Sequence, residues 1–194
     1  MNPPVVRPAT AAERRKVIDL ITLAFVADPL ARWAVPSPSA YLESMTEFVD
    51  AFGCNGLTHG TTYVVDDFAG AALWLPPGVE PDGERMQAVA AQCVPPEVLP
   101  EFAEVFERMG TYHPHEPHWY LPIIGVDPAR QGRGYGAALM RHAADLLDRD
   151  RALAYLESSN ARNLPLYERH GFEILDEVQI GGSPTIWPML RFPQ

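Results

Sequence analysis

Three glycines at alternate positions, in Gln131-Gly132-Arg133-Gly134-Tyr135-Gly136, stand where an apolar run ends at Val126-Asp127-Pro128 and a helical pattern begins. Glycine lets a backbone turn sharply and approach a ligand, and the start of the helix adds free amide groups and the positive end of a dipole. Such a loop binds an anion, and a diphosphate is the natural guest. A tight turn with no ligand is the competing reading. The spacing is not the dinucleotide fingerprint G-x-G-x-x-G, and no lysine followed by Ser or Thr is present as a nucleotide-triphosphate loop requires. Just upstream lies His113-Pro114-His115-Glu116-Pro117-His118-Trp119-Tyr120. Its histidines lack the i, i+4 spacing of H-E-x-x-H and its prolines oppose a helix, so no metal is expected.

These residues need elements to hold them. The periodicity predicts a strand at Val5 to Arg7, then a helix opened by the capping box of Thr10 and Glu13 and carrying Val17, Ile18, Ile21 and Phe25 on one side. A second helix is expected from Tyr41 to Phe52. A hairpin follows, Thr61 to Val65 with Ala71 to Leu75, and then two helices, Glu84 to Gln92 and Glu97 to Met109. The C-terminal half reads as strand Trp119 to Val126, helix Gly134 to Arg149, strand Leu153 to Glu157, a short helix Leu164 to His170 closed by Gly171, and strands Phe172 to Gln179 and Thr185 to Arg191. Strand, crossover helix and strand imply a parallel pair, while the final strands imply antiparallel ones. The expectation is an α+β fold, residues 1–194 as one domain, built on a single mixed sheet.

Composition narrows the functional classes. The chain has 194 residues and a formal charge of -10. That charge opposes counterion-release binding to nucleic acid and adsorption to an anionic membrane. Cys54 and Cys93 match no disulfide framework, zinc ribbon or redox pair, and no apolar run reaches membrane-spanning length. A soluble protein of the reducing cytoplasm, monomer or homodimer, is the expectation.

Gln-x-x-Gly-x-Gly after Val126-Asp127-Pro128 resembles the acetyl-CoA signature of the GNAT superfamily of acetyltransferases. The segment Asn163-Leu164-Pro165-Leu166-Tyr167-Glu168-Arg169-His170-Gly171-Phe172 resembles that superfamily's second motif. The resemblance implies a mostly antiparallel sheet with a splayed central parallel pair and helices on both faces. It implies acetyl-CoA as co-substrate, with pyrophosphate on the amides of Gln131 to Ala137, charge from Arg133, the pantetheine arm along Ile124, Gly125 and Val126, and a cofactor contact from Asn163. Tyr167 becomes the general acid on the departing thiolate. That role suits a phenol of ordinary pKa about 10 facing a thiol of about 8.5. Packing of Tyr167 beneath Phe172 is the alternative. Glu116, His118 and Tyr120 alternate along the approach to the cofactor strand and are candidates for the base, a choice the residues leave open. Phe25, Trp33 and Tyr41 are candidates for an aromatic acceptor pocket.

Over the last eighty or so residues, Glu116 to Leu121, the loop, and Leu156 to Phe172 are similar to the puromycin N-acetyltransferases; the first hundred match only loosely. The acceptor expected is a small-molecule primary amine. An acetyltransferase for protein N-termini or lysines, or a non-catalytic CoA-binding regulator, are the competing readings.

Overall fold

The computed structural model describes residues 3–194. Its centre is a seven-stranded sheet in the order β1-β2-β3-β4-β5-β7-β6. The strands are β1 (Val6–Pro8), β2 (Thr62–Val65), β3 (Gly70–Leu75), β4 (His118–Val126), β5 (Leu153–Ser158), β6 (Glu173–Ile174) and β7 (Trp187–Arg191). Every neighbouring pair is antiparallel except β4 and β5, which run parallel. This is the α+β architecture expected from the sequence.

The helices are α1 (Arg14–Ala24), α2 (Pro29–Ala34), α3 (Pro38–Gly53), α4 (Asn55–Thr58), α5 (Gly83–Cys93), α6 (Leu99–Gly110), α7 (Tyr135–Arg149) and α8 (Leu164–Glu168). They cover both sheet faces. On one, Val17 and Ile21 of α1 and Met45 and Val49 of α3 pack on Ala71, Leu73 and Ile123. On the other, Leu139, Met140, Ala143 and Leu147 of α7 pack on Ala72, Trp74, Leu121 and Leu156. β3 is buried along its whole length because both layers press on it. At Gly125 the approach is closest: a Cβ there would lie 2.7 Å from Ala24 Cβ, so α1 can sit on β4 only over a glycine.

Three elements depart from expectation. α2 is a six-residue helix that the sequence pattern missed; Asp28 caps it by accepting from Ala31 N–H at 3.0 Å, and Pro29 supplies its first residue. α4 was missed as well, a single turn on which no amphipathic period can show. The strand expected over Phe172 to Gln179 shrinks to two residues. Leu175 N–H still bonds Pro188 O at 2.9 Å, but Pro188 has no N–H to return, and the ladder stops except for one bridge, Val178 to Ile186.

Candidate active site

The glycine loop has the geometry an anion needs. Gly132 and Gly134 take φ of +74° and +85°, values costly for any side chain, and Gly134 serves as N-cap of α7 with no side chain to offer. Ala138 N–H is the first to bond back into the helix, to Gly134 O at 2.9 Å. The amides of Tyr135, Gly136 and Ala137 therefore have no helical partner and face a cavity of about 710 Å³. Gln131, Gly132 and Gly134 line the same cavity, whereas the Arg133 side chain, on an exposed residue, does not.

The parallel pair splays as the resemblance implied. β4 and β5 are paired only from His118–Leu153 to Leu121–Leu156. Beyond that point β4 stays bonded to β3 as far as Val126, and β5 stays bonded to β7 as far as Ser158. The facing edges of Pro122 to Val126 and of Glu157 onward are left unpaired and line the cavity. An extended amide-bearing arm fits such an opening by pairing with exposed backbone, as an added strand does. The free amides at the start of α7 and this wedge lie in one cavity, so acetyl-CoA suits the residues present.

Tyr167 is buried yet reaches the cavity wall, beside Asn163 and Leu166. Its ring meets Phe172 edge-on with centroids 6.4 Å apart, so it packs as well as faces the opening. Burial first, and the Asp28 carboxylate second, hold its phenol well above the ordinary range. It stays protonated and able to donate. Asp28 itself is buried in the same wall, where its Oδ2 accepts from Ser159 Oγ at 2.6 Å, and burial raises its carboxyl against the pull of the hydrogen bonds from Ser159 and Ala31. That bond ties the start of α2 to the end of β5.

The far end of the cavity is apolar. Phe25, Leu30, Phe48, Phe52, Phe102, Phe106 and Met109 line it, supplied by α1, α2, α3 and α6. Of the aromatic residues expected there, Phe25 takes part. Trp33 packs into the α1–α3 layer, and buried Tyr41 donates to Thr22 O at 2.7 Å with the Arg32 guanidinium over its ring. Neither faces the cavity.

The three candidate bases have separate fates. Glu116 is exposed, and its backbone oxygen alone is engaged, 2.9 Å from His118 Nδ1. Tyr120 is buried against Phe52 and Tyr155, with burial first and then the Glu157 carboxylate pushing its phenol up. His118 lies behind the cavity wall, its Nε2 3.2 Å from His113 Nδ1. His113 Nε2 in turn lies 3.2 Å from Glu157 Oε1, and Glu157 does line the cavity. Glu157, His113 and Asp28 were not singled out from the sequence. Asp28-Pro29 carried a helix-start signal, but His113 and Glu157 are 44 positions apart and only the fold joins them. Burial lifts the Cys54 thiol to about 12, against a role as nucleophile, while Cys93 lies on the cavity wall at α5. Among the described residues no group of three or more His, Cys, Asp or Glu is placed to hold a metal ion.

Residues 97–172 match the acetyltransferase (GNAT) family. An uncharacterized N-acetyltransferase of Schizosaccharomyces pombe is 26% identical over 95% of this chain and 81% of its own. A mycothiol acetyltransferase of Beutenbergia cavernae is 49% identical, over 26% of this chain and only 18% of its own length. Among solved structures, that of histone acetyltransferase HPA2 and related acetyltransferase from Corynebacterium glutamicum superposes with a TM-score of 0.70 at 25% identity, covering 98% of this chain and 97% of the other. The motif segment is thus similar to the GNAT acetyltransferases, and the fold is shared with a solved acetyltransferase.

Proposed function

We propose that the protein transfers the acetyl group of acetyl-CoA to the primary amine of a small molecule with an apolar or aromatic body. The observation that carries this reading is one continuous cavity. The amide cradle of α7, the unpaired edge of β4, Tyr167 and the aromatic chamber of α3 and α6 all open into it. Acetyl-CoA supplies an activated thioester carbonyl held by Ile124, Gly125, Val126 and the loop. The acceptor nitrogen forms the new C–N bond as the C–S bond breaks, and Tyr167 protonates the leaving thiolate. Overall the ammonium nitrogen gives up two protons, one ending on the CoA thiol and one in solvent. Acetyl-CoA use is further supported by the mycothiol acetyltransferases, to which 26% to 32% of this chain is similar.

Apolar walls favour an amine carrying rings or alkyl groups over a strongly polar one. Amino-nucleoside and aminoacyl-type antibiotics belong among the compounds to test because of the resemblance read in the C-terminal motifs. A lysine peptide belongs there too, because the Corynebacterium neighbour is a histone acetyltransferase HPA2 and related acetyltransferase. Release of free thiol from acetyl-CoA, measured across such an amine panel, tests the reading. Acetylation of arylalkyl and alkyl amines in preference to lysine peptide is expected. Acetyl-CoA binding with no turnover on any amine would favour the regulator instead.

A further inference from the structure

Glu157 is the first residue of β5 beyond its last pair with β4, so it stands at the apex of the wedge where the two strands part. Its side chain is 8% exposed, an unusual setting for a carboxylate, and it lines the cavity. Behind it a line of polar atoms leads outward: Glu157 Oε1 to His113 Nε2 at 3.2 Å, His113 Nδ1 to His118 Nε2 at 3.2 Å, and His118 Nδ1 to the Glu116 carbonyl at 2.9 Å.

A carbonyl only accepts, so His118 must hold a proton on Nδ1, and in the neutral ring Nε2 is then the acceptor. His113 must then carry a proton on Nδ1. Its Nε2 faces Glu157 Oε1, and that contact holds only with one further proton between the two. One carbonyl on β4's approach thus fixes every tautomer in the chain. The remaining titratable neighbours are Tyr120 on β4, Tyr155 on β5 and, through them, Glu80 and Tyr112; the phenols of Tyr120 and Tyr155 are pushed up by burial and by Glu157 and stay neutral. His113 is stacked among them, 4.7 Å from the Tyr120 ring and 4.2 Å from the Tyr155 ring.

We propose that Glu157 is the base that takes the proton from the acceptor ammonium, and that His113 and His118 carry that proton away from the cavity. In this step an N–H bond of the ammonium breaks and an O–H bond forms on Glu157. The shared proton then passes on to His113, which releases its Nδ1 proton to His118 Nε2, and the imidazolium so formed gives its Nδ1 proton to solvent beside the exposed Glu116. Asp28 is the rival carboxylate in the same cavity. Both its oxygens are committed, to the α2 cap and to Ser159, and no chain leads from it.

The inference rests on the acetyltransferase reading, and two amines separate the two. Glu157→Gln is expected to lose about 100-fold or more in kcat/KM for an alkylamine that must be deprotonated. It should lose no more than about 3-fold for a weakly basic arylamine already neutral at pH 7, with acetyl-CoA affinity by calorimetry unchanged. His118→Gln should shift the acidic limb of the alkylamine pH profile. An alkylamine rate untouched in Glu157→Gln, an equal loss for both amines, or the differential loss appearing in Asp28→Asn instead would each overturn the assignment. Failure of the unsubstituted protein to acetylate any amine would remove the acetyltransferase reading itself.

Discussion

At the scale of single residues, what a side chain does here is set by what surrounds it. Tyr167 and Tyr120 are both buried tyrosines with raised phenols, yet only Tyr167 opens on the cavity. Tyr167→Phe keeps the ring against Phe172 and removes the proposed proton donor. It is expected to lower kcat by roughly 100-fold while changing acetyl-CoA affinity by less than about 2-fold in steady-state and binding measurements. The pH dependence follows from the sign of the shift. Burial and Asp28 disfavour the phenolate, so the donating form persists above the ordinary phenol value of about 10. Accordingly kcat should show no falling limb from Tyr167 between pH 8 and about 10, and a limb in that range that disappears in Tyr167→Phe would contradict it. Glu157 illustrates the opposite difficulty. A glutamate at a strand end reads as a solvated residue until the partner histidine from another element is in place.

At the scale of elements, the loop and α7 form a unit whose glycines differ in duty. Gly134 holds a left-handed φ, where a Cβ costs about 1–2 kcal/mol, whereas Gly136 lies inside the helix with its nearest neighbour, Leu166 Cδ2, at ordinary contact distance. Gly134→Ala should therefore lower the unfolding temperature by several degrees and Gly136→Ala should not, by thermal denaturation without ligand. The equal spacing of these glycines in sequence conceals that difference. Long periodic elements such as α3 and α7 were legible because many apolar positions repeat a single period. α2 and α4 were not, being too short to show one, and β6 was overdrawn because its end depends on Pro188 of a strand that comes later in the chain.

For the molecule as a whole, the two ends of the cavity come from different parts of the chain. One end is built from β4, α7 and α8, and the apolar end from α1, α2, α3, α5 and α6. Changes at one end should leave the other intact. Phe102→Leu keeps the chamber apolar but removes aromatic contact, so KM for an arylalkylamine should rise about 3- to 10-fold with acetyl-CoA affinity unaltered. A parallel change in both constants would show that the two ends are coupled. The sequence alone picked out one end of the cavity: the loop, the strand before it and the motif around Asn163 and Tyr167 are local, because an amide cradle needs only one strand, a few glycines and one helix start. Tertiary structure decided the other end. The aromatic chamber, the Asp28–Ser159 tie and the line from Glu157 through His113 to His118 join residues from separate elements, and contacts of that kind leave no period or spacing in the chain.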